Sequence, residues 1–302
     1  MRTSVIIPNY NYGHFIAGAI QSVLNQTISV DEIIIVDDGS TDNSRDVIES
    51  FGHRVISVFQ TNQGQAAAIS AGFSRASGDI IFLLDSDDFF MPNKIEIIKK
   101  LYEENEKAQW IFHDLLIVNN NTIPNLSNEV LDMQKISHID ERKSMERGKI
   151  NYDAPATSGL SFRHHFIQDL FPLPAAQSIF ISDHYIKFYC LAMASGLNIS
   201  QNFGGQLIHG ENLYTATKNM TMKGKIFANT AYALREKCPE VSVFANSLFV
   251  EGRASANASL SSDSIMQVVD KYKANLSPFE LLLIELKTLI KTRRYKKMIS
   301  AV

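Results

Sequence analysis

Five carboxylates lie at the ends of two predicted strands. Asp37 and Asp38 follow one short apolar run, and Asp85, Asp87 and Asp88 follow another. Carboxylates this close repel one another unless a cation or hydrogen-bond donors neutralise them. Hard oxygen ligands suit Mg²⁺ or Mn²⁺, which bind one or two protein carboxylates and complete their shells with water and phosphate oxygens. The acids therefore predict a divalent-metal site. Capping of the following helix is the alternative for a single acid such as Asp38.

A tyrosine follows the first predicted strand. Tyr10 stands two residues after Pro8, which ends the apolar run that begins at Ser4. In open α/β sheets, ligands bind outside the carboxyl ends of the strands. Tyr10 therefore predicts a platform on which a planar base stacks, with ordinary packing as the alternative.

The elements that position these residues alternate between short β-rich runs and helix-length amphipathic stretches. This alternation, from Thr3 to Val118, is typical of a parallel sheet covered by helices. The predicted strands are Ser4–Ile7, Ile33–Val36, Val55–Phe59, Ile80–Leu84 and Trp110–Val118.

The alternation stops after the fifth strand. Residues 119–153 are polar and predict an insertion or a loop over a site. Structure resumes at 156–163, and a helix is predicted from Ser182 to Ser195. From about Lys218 the pattern is helical, and Ser277 and Glu280 form a capping box for the last helix.

Composition limits the class of protein. The 302 residues include 29 Lys and Arg against 32 Asp and Glu, so the net charge is −3, and 45% of the residues are hydrophobic. This balance is ordinary for a globular protein and offers no basic surface for nucleic acid. Cys190 and Cys238 form neither a metal-binding nor a disulfide pattern, which favours a reducing compartment. No apolar run approaches the ~20 residues that span a bilayer, so we expect a cytoplasmic protein.

The last helix ends in a basic segment. After Glu285 the sequence holds six basic residues and no acid. Cationic amphipathic helices bind anionic lipid, so peripheral contact with the inner face of the membrane, or with a partner, is one interpretation. A solvated tail on a packing helix is the other.

The first 115 residues resemble the glycosyltransferase family 2 enzymes, which have the GT-A fold. Order and spacing of several segments agree together, which is far more specific than a lone DxD. The segments are SVIIPNYN (4–11), IVDDGSTD (35–42), NQG (62–64), ASGD (76–79) and FLLDSDD (82–88), followed by Pro92.

The resemblance implies a mixed α/β sheet flanked by helices, with a helical C-terminal extension. It implies a catalytic domain over 1–214, divided into a nucleotide-sugar-binding half (1–118) and an acceptor half (119–214), and a helical region over 215–302. The donor would be a nucleoside-diphosphate sugar, with a UDP-sugar as first choice. The acceptor would be a saccharide or a lipid-linked saccharide.

The resemblance also assigns residues to the donor. Pro8 and Tyr10 would form the walls around the base, Asp38 would bind the base edge, and Gly64 would belong to the same site. Asp85 and Ser86 would face the ribose or the donor sugar. Many relatives carry a basic residue where Ile69 stands here, so phosphate neutralisation would depend on the metal or another cation.

The resemblance also implies which residues bind the metal and which residue takes the proton. Asp87 would bind Mn²⁺ or Mg²⁺ beside the diphosphate, with His209 as a further ligand; a structural histidine is the alternative. Asp183 would be the base of an inverting transfer, although Ser182 stands where relatives have Glu. A carboxylate that only favours the helix N-terminus is the alternative for Asp183.

Two other functions stay open at this point. The acidic pair followed by Asp85 is also similar to a phosphoacceptor receiver module, although a strand and a helix precede the pair. A catalytically inactive family member that serves as a binding subunit is the other alternative.

The expected role of an active enzyme is synthesis of a surface polysaccharide or glycoconjugate.

Overall fold

The computed structural model describes residues 1–119, 127–128, 130–174, 182–210 and 219–300. The strands in these ranges are β1 (Thr3–Asn9), β2 (Glu32–Asp37), β3 (Ile56–Phe59), β4 (Ile80–Leu83), β5 (Phe89–Phe90), β6 (Trp110–Val118), β7 (Ile136–Ile139), β8 (Leu160–Arg163) and β9 (Gly196–Leu207). The α-helices are α1 (Ile16–Leu24), α2 (Ser44–Glu49), α3 (Gln65–Phe73), α4 (Lys94–Glu104), α5 (Arg142–Glu146), α6 (His164–Ile167), α7 (Ser182–Met193), α8 (Met220–Lys237), α9 (Ser242–Ala258), α10 (Met266–Ala274) and α11 (Pro278–Ile299).

The described strands form one mixed sheet in the order β3-β2-β1-β4-β8-β6-β9-β5, with β7 also paired to β9. β1, β2, β3 and β4 are parallel, whereas β8 is antiparallel to both β4 and β6. The five predicted strands are confirmed, with ends that move by no more than two residues. The parallel half brings the carboxyl ends of β1, β2 and β4 to one edge of the sheet.

Both faces of β1, β2 and β4 are covered, whereas β3 at the end of the sheet is partly exposed. Val5 and Ile7 of β1 belong to the core formed with α1 and α4. On the other face, a Cβ at Gly72 of α3 would lie 2.4 Å from Ile6 Cγ2, so only glycine allows this close approach. Strands buried on both faces read as continuous apolar runs, which explains why these strands were easy to predict.

The middle of the chain differs from the prediction. The polar segment 119–153 contains β7 and α5, so it is not a loop throughout; residues 120–126 and 129 lie outside the described ranges. The helix predicted to end at Ser195 ends at Met193, and Gly196 begins β9, a twelve-residue strand absent from the prediction. β9 is rich in glycine and polar residues, and its pairing with β6 has register shifts, so its alternation is broken.

Contacts divide the chain into two compact units. The first comprises Met1–Asp140, Tyr152–Ala176 and Ala194–Thr215, and the second comprises Glu141–Asn151, Gln177–Met193 and Ala216–Val302. The predicted region 215–302 is thus only part of the second unit, which also includes α5 and α7. Phe188 of α7 packs against Phe244 of α9 at 5.2 Å between ring centroids. Among the described residues, no helix combines the length and apolar character needed to cross a membrane.

Candidate functional site

The ends of β1 and β2 are fastened to each other by side chains. Asn9 Nδ2 donates to Asp37 Oδ1 at 2.8 Å, and Ser40 Oγ donates to the same oxygen at 2.5 Å. The Ser40 N–H also donates to Asp37 Oδ2 at 3.1 Å. Asp37 is therefore a structural acid that closes the turn after β2, and its charge is satisfied by donors within the protein.

Asp38 holds the loop that precedes α3. Its carboxylate accepts hydrogen bonds from the N–H groups of Gln63 (2.9 Å) and Gly64 (2.7 Å), and from Gln60 Nε2 (2.7 Å). Gly64 has φ +89°, a conformation that favours glycine, and it directly precedes α3. Asp38 does not cap the helix that follows it in sequence. It fixes the backbone at Gly64, while its predicted contact with a base edge stays a prediction.

The two residues predicted as walls differ in exposure. Pro8 is buried within β1 opposite Val36, whereas Tyr10 is 43% exposed. Packing in the core therefore does not explain Tyr10. Its position just beyond β1 is compatible with the predicted stacking platform.

Asp87 and His209 meet at the carboxyl ends of β4 and β9. His209 Nε2 lies 3.0 Å from Asp87 Oδ2, and the His209 side chain is only 2% exposed. The rings of Phe15 and Tyr12 pack against the imidazole at centroid distances of 4.3 and 5.8 Å. His209 is 122 positions from Asp87 in the sequence, so the tertiary fold brings the two side chains together.

Asp88 is the buried member of the acidic segment. Ser158 Oγ donates to Asp88 Oδ2 at 2.6 Å, and the Leu207 N–H donates to Oδ1 at 3.1 Å. Burial raises the pKa of Asp88 well above its usual range, and the charges of Asp87 and Asp85 raise it further. The carboxylate of Asp88 therefore points into the protein.

A buried lysine lies beneath the acidic segment. Lys94 Nζ donates to the Ser158 carbonyl at 2.8 Å and lies 3.4 Å from the centroid of the Phe90 ring. Burial lowers the pKa of Lys94 well below its usual range, and the charge of Asp88 opposes that shift. Ser158 therefore connects Lys94 and Asp88.

Asp85 forms hydrogen bonds with residues of two other segments of the chain. Its N–H donates to Ser158 Oγ at 3.1 Å, and its Oδ1 accepts from Gln65 Nε2 at 3.1 Å. Gln65 is the first residue of α3, so this contact links the acidic segment to the loop held by Asp38. Ser86, the residue between the first two acids, is 5% exposed.

The donor set at Asp87 and His209 suits a divalent cation. A carboxylate oxygen and an imidazole nitrogen are both ligands of Mn²⁺, and Mg²⁺ accepts the carboxylate. Within the described ranges, no group of three or more His, Cys, Asp or Glu side chains could hold a metal ion. A cation held by Asp87 and His209 would take its remaining ligands from water and substrate oxygens.

Asp183 belongs to the second unit, whereas the other predicted site residues belong to the first. It lies in the first turn of α7 and contacts Lys187 Nζ at 3.2 Å and His184 Nδ1 at 3.1 Å. Burial raises the pKa of Asp183, but Lys187 and His184 outweigh burial and hold that pKa well below its ordinary value. Asp183 is thus ionised at neutral pH, and its role as a base stays a prediction.

Sequence reasoning missed three residues that support the site: Ser158, Lys94 and Gln65. Ser158 lies in a short 3₁₀ turn before β8, far from the acids in sequence. Lys94 is the first residue of α4, where a lysine is expected to be solvated, yet it is fully buried. Of the three, only Gln65 could have been found from the sequence, because it directly follows the NQG segment.

The Asp183–Lys187 pair predicts a pH-dependent contribution to stability. A depressed folded-state pKa stabilises the fold above the ordinary pKa of about 4, and this stabilisation is lost as the pH falls through the folded-state pKa. Asp183→Asn should therefore lower the hydrogen-exchange protection of α7 amides by roughly 3 kcal/mol at pH 7, because it removes the carboxylate from a buried ammonium.

The measured difference should shrink as the pH falls below about 4, because the carboxylate of the opened state becomes protonated there while the native carboxylate beside Lys187 stays ionised. The double variant Asp183→Asn/Lys187→Met removes both charges and should recover part of the loss. An equal loss at both pH values would show that the ion pair is not the cause.

Comparisons with known proteins agree with this fold. The family model described as "Glycosyl transferase family 2" matches residues 4–164, which is more than half of the chain. An uncharacterized glycosyltransferase of Nostoc sp. is 36% identical over 227 residues, which cover 73% of this chain and 69% of the relative. The match decides against the receiver-module interpretation.

Two further proteins carry more specific names. The Escherichia coli UDP-Glc:alpha-D-GlcNAc-diphosphoundecaprenol beta-1,3-glucosyltransferase WfgD is 37% identical over 123 residues, which cover 40% of this chain and 48% of that protein. The structure of S. aureus TarS 1-349 in complex with UDP-GlcNAc aligns with a TM-score of 0.64 at 15% identity, covering all of this chain and 92% of that one.

These matches confirm the mixed sheet with flanking helices and a helical C-terminal region as the architecture of the GT-A enzymes. The chain belongs to glycosyltransferase family 2, and it is a glycosyltransferase.

Proposed function

We propose that the chain transfers a sugar from a nucleoside-diphosphate sugar, with UDP as the expected nucleotide, to an acceptor hydroxyl. The proposal includes an inverting reaction that depends on Mn²⁺ or Mg²⁺. The observation that carries it is the pair formed by Asp87 and His209, 3.0 Å apart at the sheet edge of a family 2 fold. UDP-GlcNAc in TarS and UDP-Glc in the name of WfgD support a uridine nucleotide.

The proposed nucleotide site lies at the ends of β1, β2 and β4. Tyr10 stacks on the base beside Pro8, and Asp38 with the Gly64 backbone borders the base edge. Asp85 and Ser86 face the ribose or the sugar. The exposed ring of Tyr10 and the chain of contacts from Asp38 through Gly64 and Gln65 to Asp85 support these roles.

Asp87 and His209 would hold the divalent cation. When bound, the cation supplies positive charge beside the diphosphate, where negative charge increases as the sugar leaves. His209 is almost fully buried and packed between aromatic rings, so its nitrogen is held in place before any ligand arrives. Asp88 and Ser158 fix the backbone from which Asp87 extends.

Asp183 is the proposed base that takes the proton from the acceptor hydroxyl. General-base catalysis typically contributes ~10²–10⁴-fold, and it is most efficient when the pKa of the base lies near the working pH. Lys187 holds the pKa of Asp183 lower than that, so the pair must weaken in the complex for the base to act.

The acceptor is proposed to be a saccharide or a lipid-linked saccharide, and the product a surface polysaccharide or glycoconjugate. The name of WfgD, with a diphosphoundecaprenol-linked acceptor, supports this choice. A cytoplasmic location stays a prediction.

Donor binding tests the site directly. With UDP and Mn²⁺ at about 100 times Kd, we expect roughly 2.7 kcal/mol of stabilisation, seen as a rise of several degrees in Tm. GDP, dTDP and CDP, each with and without Mn²⁺, complete the panel. Asp87→Ala should abolish the metal-dependent part, whereas Asp46→Ala removes an exposed acid of α2 and should keep it. A rise that persists in EDTA or in Asp87→Ala would contradict the proposed metal site.

The base and the stereochemistry are tested by turnover. Asp183→Asn should lower kcat by ~10²–10⁴-fold while the UDP-induced rise in Tm is kept. The anomeric proton of the product, followed by NMR before mutarotation, should show inversion relative to the donor sugar. Wild-type turnover in Asp183→Asn would show that this carboxylate serves only the ion pair, and a retained configuration would rule out a single displacement.

Ser158 is predicted to position the acids. Ser158→Ala should weaken Mn²⁺ binding by roughly 10–100-fold, as loss of a hydrogen-bond partner of metal-binding groups does. Ser161→Ala is the matched control, because Ser161 is equally buried but donates to the Ile111 carbonyl. Both variants should lose about 1–3 kcal/mol of stability. Equal Mn²⁺ affinity in the two variants would show that Ser158 stabilises the fold but does not position the acids.

A further inference from the structure

The last helix, α11, packs through a face that is mostly polar. Ile284, Thr288 and Thr292 are 2%, 2% and 9% exposed, and Ile284 joins the core of the second unit with residues of α8, α9 and α10. The hydroxyl groups of Thr288 and Thr292 have no hydrogen-bond partner in the described structure. The inward face of α11 therefore contributes one large apolar side chain at its centre.

The outward face of α11 is apolar over its first three turns. At 100° per residue, its side chains lie opposite the face of Ile284 and Thr288. They are Phe279 (69% exposed), Leu282 (67%), Leu283 (36%), Leu286 (53%), Leu289 (50%) and Ile290 (45%). A helix on a globular protein normally has the reverse arrangement, and contiguous exposed apolar surface of this kind marks an interaction site.

The same outward face becomes cationic towards the end of the helix. Arg293, Arg294, Lys296 and Lys297 are exposed, and no acid follows Glu285 in the sequence. Arg293 and Lys297 continue the row of Leu282, Leu286 and Leu289 along the helix.

Three acids on or near α11 form ion pairs with cations other than the four outward ones. Glu251 contacts Lys223 and Lys291, and Glu285 contacts Arg253 and Lys273. Glu280 contacts Arg235. The outward cations therefore face solvent on a surface to which these acids bring no compensating charge.

We propose that the outward face of α11 docks on an anionic lipid bilayer, with its leucines in the acyl boundary and its terminal cations at the headgroups. Combined apolar burial and attraction to anionic lipid is the mode in which amphipathic helices bind at a membrane interface. A second copy of this chain that packed parallel to α11 would bring the two sets of terminal cations together, which disfavours that arrangement. This surface lies in the second unit and does not depend on the proposed glycosyl transfer.

Flotation of the full chain with vesicles tests the proposal. Vesicles of phosphatidylcholine with about one third phosphatidylglycerol should bind the protein, and vesicles of phosphatidylcholine alone should bind it at least tenfold more weakly. Raising the salt from about 0.05 to about 0.5 M should release it, because screening weakens attraction between exposed charges.

Paired variants separate the two contributions. Leu282→Gln/Leu286→Gln removes apolar contact, and Arg293→Glu/Lys297→Glu reverses charge; each should weaken binding by tenfold or more. The matched controls are Ile117→Gln/Val130→Gln, at exposed apolar positions of the first unit, and Arg75→Glu/Lys107→Glu, with the same change in net charge. Both controls should bind as the wild type does. Circular dichroism and Tm verify that all variants fold.

Three results would overturn the proposal. The first is a wild type that floats with neither vesicle, and the second is equal loss of binding in the α11 variants and the controls. A concentration-dependent dimer that Leu282→Gln/Leu286→Gln dissociates, in a chain that does not float, would assign the face to a second copy instead. Loss of flotation leaves the UDP-induced rise in Tm unaffected, so the outcome is distinct from that of the donor experiments.

Discussion

Charge crowding at the end of β4 is the constraint on which the rest of the site depends. Three carboxylates within four residues cannot all face the same space without a partner. Asp88 turns inward to Ser158 and the Leu207 N–H, and the raised pKa of its carboxyl reflects burial beside two other acids. With Asp88 held inside, Asp87 contacts His209 at 3.0 Å, and the proposed divalent cation is the partner that would suit both side chains.

The fold joins this local arrangement to several other strand ends, and together they form the proposed donor site. Asp37 fastens β2 to β1, Asp38 holds the backbone at Gly64, and Gln65 reaches the acidic segment. Each acid after a strand thus has a different task, although all look similar in sequence. Family 2 membership gives the common purpose, which is transfer of a sugar from a nucleotide donor.

The sequence predicted β1, β2 and β4 because these strands are buried on both faces and read as apolar runs. It missed β9, whose alternation is interrupted by glycines and register shifts, and so could not locate His209 by topology. Ser158 and Lys94 could not be predicted, because their roles follow from tertiary contacts over more than sixty positions. The Lys187 partner of Asp183 was visible only as an i,i+4 spacing, which does not reveal that both groups are buried.

The central claim is that Asp87 and His209 together bind the metal of the donor complex. Electron spin echo envelope modulation of Mn²⁺ with UDP and the protein tests it most directly, because it detects a nitrogen bound to the metal. We predict a ¹⁴N modulation from the His209 imidazole that disappears in His209→Ala, whereas His14→Ala keeps it. A wild-type complex with bound Mn²⁺ and no ¹⁴N modulation, or a modulation unchanged in His209→Ala, would contradict the account.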